Sequence, residues 1–344
     1  MKKVLELKPS GGDHCITNSL KQVLRYYGWN ITEAMLLGLG EGLGFVYLNA
    51  ADAPLLSCRS KPFVFEKNLE RIPGLNIGIK RPVSNETAFE EALKQIDDGR
   101  PFMVYLDMVY LPYMNLGESS HFGGHGVVIF GYDREKQLFY VSDRDNRDHP
   151  VHTPKGCIAE DFHLVDFSAI SQARNSAFRP FPPGNRWADI RIEGALRITA
   201  DAIRGAVCNN MHTMAEPPAR LLGVSGIRKF SAESKKWKTF SDEKLQRSAI
   251  SNYFMIHKDG GTGGGAFRKL YGDFLAEAAE MVPELKEPGA EFRSIAEDWE
   301  EIASCFMEIH NTCRRDRCDE ISVLAARIAE REEAVARRIL SQIG

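Results

Sequence analysis

The chain has no uninterrupted run of about 18 apolar residues, the length a membrane-spanning helix needs. Its first residues, Met1 to Lys8, include Lys2 and Lys3, but Glu6 and Lys8 break the apolar stretch short of a secretory signal, so a cytoplasmic location is the expectation. Cysteine is sparse. Its seven copies, at 15, 58, 157, 208, 305, 313 and 318, are scattered and odd in number, which excludes a disulfide framework and suits a reducing compartment. Neither sign of charge prevails: 44 basic and 47 acidic side chains leave a net charge of -3, with no global field to gather nucleic acid or an anionic membrane. No period of about 20–50 residues recurs, which excludes solenoids and propellers.

What is present suits a folded protein with a core: 43% hydrophobic, 10% aromatic and 26% charged residues. At 344 residues the chain exceeds the roughly 100–200 residues of one domain, so two domains, or one core with a large appendage, are expected. Ile16, Leu20, Val23, Leu24 and Tyr27 fall on one helical face, with Gly28 as the stop. A short helix from Thr32, a glycine-rich turn over Gly38–Gly44 and a helix over 86–96 follow. Strands are then predicted at 101–106, 126–130 and 138–141, the last two joined through Gly131-Tyr-Asp133. The run Phe178-Arg-Pro-Phe-Pro-Pro-Gly-Asn185 reads as a linker. Beyond it, helical spacing dominates, in 267–281, 292–309 and 321–340. The division predicted is therefore 1–185, mixed α and β, and 186–344, helical.

Cys15 stands at the start of the first helix, where unpaired backbone N–H groups and the helix dipole favour a thiolate and could also hold an oxyanion. His125 opens an apolar strand, and Asp143, at the end of the next, lies beside it in an antiparallel pair. A carboxylate that orients an imidazole, and an imidazole that deprotonates a thiol, make a nucleophilic triad. Asp145 and Asn146 compete with Asp143 for the orienting place.

This order of motifs resembles papain-like cysteine peptidases and the peptidase domains of bacteriocin exporters. It is more closely similar to the butirosin biosynthesis protein H family, in which a papain-like domain precedes a helical one. The residues that carry the resemblance are His14-Cys-Ile-Thr-Asn-Ser-Leu20, Tyr26-Tyr-Gly28, Glu33-Ala-Met-Leu-Leu-Gly-Leu-Gly-Glu-Gly-Leu-Gly-Phe45, Asp107-Met-Val-Tyr-Leu-Pro-Tyr113, His121-Phe-Gly-Gly-His-Gly-Val-Val128 and Gly260-Gly-Thr-Gly-Gly-Gly-Ala-Phe-Arg268. The resemblance implies an α+β papain-like fold followed by a mainly α-helical domain. It also implies transfer of an acyl or aminoacyl group from the phosphopantetheine thioester of an acyl carrier protein to a small-molecule amine. Cys15 would carry the acyl group, His125 would act as base and then acid, and Asp143 would orient His125. Phosphopantetheine enters as part of the donor, and no metal or other cofactor is implied. The glutamine that papain-like peptidases place just before the cysteine is missing from Leu7–His14, which leaves the Cys15 N–H as the one identified oxyanion donor.

Further residues are candidates for substrate contact. His121 stands four before His125, but Gly123 and Gly124 argue against a helical zinc pair. It is read instead as touching the acyl chain or orienting a loop. His14 could assist its neighbour. Asp107 could grip a cationic acceptor or cap a turn, with Tyr110 lining the same cleft. The turn Gly38–Gly44 lacks the context of a dinucleotide or phosphate loop and is read as lining the substrate. Gly264, in the run Gly260–Gly265, and Arg268 at the following helix start form a candidate anion site for the phosphopantetheine phosphate or a carboxylate. Cys313 and Cys318 lack zinc spacing. The rival functions are a peptidase or amide hydrolase, in which water takes the acyl group, and a non-catalytic module that binds a carrier protein. A homo-oligomer stays open.

Overall fold

The computed structural model describes every residue except 51, 60–63, 119, 154 and 180. The fold is α+β, with a sheet region in the N-terminal part and helices in the C-terminal part. The elements run β1 (Lys2–Val4), α1 (Cys15–Tyr26), α2 (Glu33–Leu39), β2 (Leu43–Leu48), β3 (Leu55–Arg59), α3 (Val64–Asn68), β4 (Leu75–Lys80), α4 (Asn85–Asp97), β5 (Phe102–Leu106), β6 (His125–Asp133), β7 (Leu138–Ser142), β8 (Val151–Thr153), β9 (Gly156–Ile158), β10 (His163–Asp166), α5 (Phe167–Asn175) and β11 (Trp187–Ile192). Six helices follow: α6 (Ala200–Ala215), α7 (Gly223–Ser234), α8 (Asp242–Ile256), α9 (Arg268–Ala278), α10 (Lys286–Thr312) and α11 (Arg317–Ile343). Among the described residues no helix is long and apolar enough to cross a membrane.

Contacts divide the chain into two compact units, Met1–Glu33 with Pro73–Arg197 and Ala34–Ile72 with Ile198–Gly344. This corrects the division expected at 185/186 in two ways. The Pro-rich run is no boundary, because β11 lies beyond it and pairs with both β4 and β5 inside the sheet; Pro180 of that run lies outside the described residues. The second correction is that residues 34–72 belong with the helices. Two helix asparagines hold their hairpin by its backbone: Asn210 of α6 bonds the N–H and C=O of Leu43, and Asn252 of α8 bonds the Leu56 N–H and the Pro54 C=O. The hairpin's Phe45 packs on Phe230 and Trp299, with Tyr47 on Phe230.

In the first unit the sheet order is β10-β7-β6-β5-β11-β4, with β1 on the far end of β6, and every pairing is antiparallel. Both β5 and β6 are buried along their whole length, so helices must cover both faces. Val104, Leu106, Val127 and Ile129 pack with Leu93 and Ile96 of α4 and Ile170 and Ala173 of α5. Gly126 turns the other way, towards α1, where a Cβ would stand 2.5 Å from Ile16 Cδ1. A side chain at 126 would hold the helix off the strand. The serine one turn into α1 uses this closeness, Ser19 Oγ donating to the Gly126 carbonyl at 3.2 Å.

In the second unit the helices pack around α10 and α11, with Trp237, Trp299 and Phe306 in the core. Within it, Arg268 is fully buried and forks onto Glu332, Nε to Oε1 at 2.7 Å and Nη2 to Oε2 at 2.9 Å. Its Nη1 donates to the carbonyls of Gly44 and Ala266, and Trp299 Nε1 donates to Glu332. Arg268→Ala strands a buried carboxylate and two carbonyls, so a loss of about 3–5 kcal/mol is expected. Thermal unfolding of the folded chain checks it, by a midpoint lowered by roughly 10 °C.

Candidate active site

The site is built from α1 outward. His14 is the N-cap, in extended backbone, and its ring accepts the Thr17 N–H. The loop before it is bound to Glu33, whose carboxylate accepts the N–H groups of Asp13 (3.2 Å) and His14 (3.0 Å), the Thr17 hydroxyl (2.9 Å) and the Lys21 ammonium (2.9 Å). Gly12 allows this packing, since a Cβ there would stand 2.2 Å from Glu33 Oε1. One helical turn apart, Asn18 and Gln22 both donate to the Asp143 carbonyl, at 3.1 and 3.3 Å. Asn18 also holds the Ser10 carbonyl, and Gln22 Oε1 accepts from Ser10 N–H and the Ser142 hydroxyl. The helix that presents Cys15 thus also grips the backbone at Asp143.

Cys15 is the first residue of α1 and is partly exposed, whereas His14, His125 and Asp143 are buried. His125 Nε2 meets Asp143 Oδ2 at 2.7 Å, and α1 brings Cys15 to this pair because Ile16, the next residue, packs against Gly126, the residue after His125. With Nε2 on the carboxylate, Nδ1 of His125 is the atom left for sulfur. Two more donors hold Asp143: the Tyr113 hydroxyl on Oδ2 at 2.8 Å and the Arg144 N–H on Oδ1 at 2.7 Å. Tyr113 is itself stacked on His163 at 3.7 Å between centroids.

These contacts set the charges. Burial pushes the Cys15 thiol up, but His14 and His125 outweigh it and hold it well below its ordinary 9.0. Burial would lower the His125 imidazole, yet Asp143 and Cys15 raise it to about 10. Asp143 is lowered, the burial that would raise it being outweighed by His125, Tyr113 and the Arg144 N–H. A thiolate beside an imidazolium is the resulting state between the lowered thiol value and about pH 10.

The structure thus brings together Cys15, His125 and Asp143. The competing residues go elsewhere: Asp145 bonds His163 Nε2 at 3.0 Å and the Glu160 N–H, and Asn146 pairs by its backbone with His149. Asp107 sits one residue past Leu106, the strand partner of His125. It is fully buried, and its oxygens accept from His121 Nδ1 (2.8 Å), the Phe122 N–H (3.0 Å), the Ser176 hydroxyl (2.6 Å) and the Val109 N–H. Of its two readings the turn cap is the one seen, since Asp107 is the N-cap of the turn 108–110, while the grip on a cationic acceptor is corrected because the carboxylate is engaged in holding the loop. His121 is stacked on Phe178 at 3.3 Å, with Tyr110 at 5.8 Å.

Gly264 and Arg268 belong to the other unit and do not form an anion site. The Arg268 guanidinium is neutralised by Glu332, and the N–H groups next to it in the loop are occupied, Gly265 donating to Glu300 Oε1 and Gly264 to the Thr262 hydroxyl. The glycines of 38–44 are corrected too. Gly38, Gly40, Gly42 and Gly44 are buried, and a Cβ at Gly38 would stand 2.1 Å from the Phe274 ring, so they serve packing and line no exposed turn. Sequence reasoning missed Tyr113, Glu33, Asn18 and Gln22. Only the last two left a signal, amides four apart on the nucleophile's own helix.

Two family models match the chain: butirosin biosynthesis protein H, N-terminal, over residues 14–144, and a domain of unknown function, DUF4872, over residues 168–339. No curated protein matches. The first match begins at the N-cap His14 and ends just past Asp143, enclosing the whole constellation.

Alkylation of Cys15 by iodoacetamide, followed by mass mapping, is expected to rise with pH through a midpoint well below 9.0, because the thiolate is the nucleophile. Gly126→Ala sets a methyl group against Ile16, moves α1 off β6 and raises that midpoint. An unchanged midpoint in the folded variant would show that the close approach is not what sustains the thiolate.

Proposed function

Because the chain belongs to a butirosin biosynthesis protein H-like family, we propose that it is a biosynthetic acyltransferase in which a papain-like α+β unit supplies a Cys15-His125-Asp143 triad. Its donor is a pantetheine thioester, carried by an acyl carrier protein, and its acceptor is an amine of a small molecule. The observation that carries this reading is the His125–Asp143 contact at 2.7 Å beside the start of α1, where Cys15 is the first residue of the helix that packs on β6.

The chemistry follows from the charge state. The Cys15 thiolate adds to the thioester carbonyl while the Cys15 N–H, at the positive end of α1, faces the developing oxyanion. The bond to the pantetheine sulfur breaks, and the His125 imidazolium gives its proton to the leaving thiolate. The acyl group is then a thioester of Cys15. An exchange of one thioester for another is nearly isoenergetic, so the step needs no other energy source. An amine attacks, passes its proton to neutral His125, and expels Cys15 as thiolate, which restores the ion pair. Aminolysis of a thioester is downhill and drives the sequence. Asp143 fixes the ring of His125 and stabilises its charged form, with Tyr113 in turn holding Asp143.

Intact mass after incubation with acyl-pantetheine thioesters tests the covalent step, with an acyl adduct expected on the native protein and none on Cys15→Ala. His125→Ala is expected to lower acylation by roughly 10²–10⁴-fold, the contribution of a positioned acid–base group. Adding amines then separates transfer from hydrolysis. Acyl release that is equally fast with and without every amine would overturn the transferase and favour the hydrolase.

A further inference from the structure

Two arginines meet at the end of the sheet where α1 begins. β4 and β11 pair as far as Lys80 opposite Trp187, so Arg81 and Arg186, each one residue beyond, stand opposite one another. The Tyr105 N–H donates to the Arg186 carbonyl at 3.1 Å, and Tyr105 is the strand partner of Gly126, the glycine against which Ile16 packs. Trp187 points to the α4 side, its Nε1 donating to Glu91, so alternation along the strand turns Arg186 to the opposite face, the one on which α1 lies. A single row thus runs from Ile16, the residue after Cys15, through Gly126 and Tyr105 to Arg186 and Arg81. It places Arg186 two strand spacings, roughly 10 Å, from Gly126. A second route leads to the same place: the segment before Arg186 lies against the turn that enters His125, with Phe181 on Phe122 at 5.9 Å between centroids and Phe178 stacked on His121.

The two guanidiniums converge over Gly184. A Cβ there would stand 3.1 Å from Arg186 Nη1 and 3.5 and 3.6 Å from Arg81 Nε and Nη2, so a side chain would fill the gap between them. Arg186 is half-buried, its Nη1 donates to the carbonyls of Pro182 (3.0 Å) and Pro183 (2.9 Å), and burial and the charge of Arg81 draw its pKa below the ordinary value. Asp189, the carboxylate of β11, is taken by Lys80 and Arg191, and no carboxylate among the described residues pairs with Arg81, which is exposed. Two cations at one gap fit an anion that offers several acceptor oxygens. We propose that Arg81 and Arg186 form a phosphate site, which holds the phosphate of the donor's phosphopantetheine while its thioester reaches Cys15. The proposal rests on the acyltransferase reading and gives the donor its anchor. In phosphopantetheine the whole pantetheine arm separates the phosphate from the thioester sulfur, so the anion has to be bound well away from the nucleophile. Two to three strand spacings along the row from Gly126 supply that separation. This is the anion site that Arg268, neutralised by Glu332, does not provide.

Calorimetry on the native chain tests this with three probes: pantetheine, the methyl phosphodiester of phosphopantetheine, which has the diester form the group takes on a carrier serine, and coenzyme A. The diester is expected to bind about tenfold more tightly than pantetheine, the scale of a charge-assisted hydrogen bond, and to lose that advantage as salt is raised. Arg81→Gln alters an exposed side chain and is expected to remove most of the advantage, with the affinity for pantetheine and the thermal unfolding midpoint unchanged; Arg186→Gln acts in the same direction. Coenzyme A that binds no more tightly than the diester supports the site with a carrier-borne donor, and tighter binding supports the same site with the free coenzyme as its source. Equal affinity for pantetheine and the diester in the native chain would overturn the proposal, as would an advantage that survives in Arg81→Gln. None of these measurements uses an acyl group, so their failure removes the arginines from the donor site and leaves the acyl-adduct test of the transferase untouched.

Discussion

A thiolate and an imidazolium that face each other at the edge of a protein interior keep each other charged, and the architecture of the first unit depends on bringing them within reach. Each is costly to desolvate alone, and burial acts against both charges. The pair forms only when α1 lies against β6, and that approach requires a residue without a side chain at 126. His125 and Gly126 are thus two parts of one requirement: the first supplies the ring, and the second admits the helix that brings the sulfur to it. The other contacts of the site act on this distance. Asn18 and Gln22 tie the helix of Cys15 to the backbone at Asp143, so the elements that carry sulfur and carboxylate are joined directly.

Much of this was legible in the sequence where periodicity or chemistry is local. The helix after Cys15, the strands around 102–106 and 125–133, and the long helices near the C-terminus all have apolar spacings that match the structure. The three residues at the centre of the site were legible for another reason, that a thiol, an imidazole and a carboxylate make sense only in particular places on helices and strands. The unit boundary was not legible. The proline-rich run at 178–185 carries the composition of a linker, yet β11 beyond it bonds to strands that lie far earlier in the chain, and pairing of that range leaves no local mark. The hairpin β2–β3 was hidden likewise, held by Asn210 and Asn252 from helices more than 150 residues away in sequence.

Arg268 and Asp107 show why a charged residue beside glycines misleads. Arg268 was read as a ligand, and Asp107 as a ligand or a turn cap, because their surroundings looked like entrances, a helix start and a strand end. Both are instead fully buried, and each spends every favourable direction on the protein itself. The arginine fork is satisfied by one glutamate and two carbonyls, and the aspartate by two N–H groups, a hydroxyl and an imidazole. A ligand would have to displace bonds already made in a low-dielectric interior, and the partner left behind would be stranded.

The same accounting separates Cys15 from these residues. Among the described residues around it, Glu33, Thr17, Asn18, Gln22, Tyr113 and the Arg144 N–H are all engaged in holding a neighbour, and His14, His125 and Asp143 are buried. Cys15 remains partly exposed at the end of this network, and the imidazoles beside it outweigh the burial that would raise its thiol. A buried cysteine without imidazoles beside it is driven the other way, as Cys58 is, pushed up to about 12 by burial. Two thiols in one chain therefore have opposite fates, decided by whether neighbouring imidazoles outweigh burial or burial prevails.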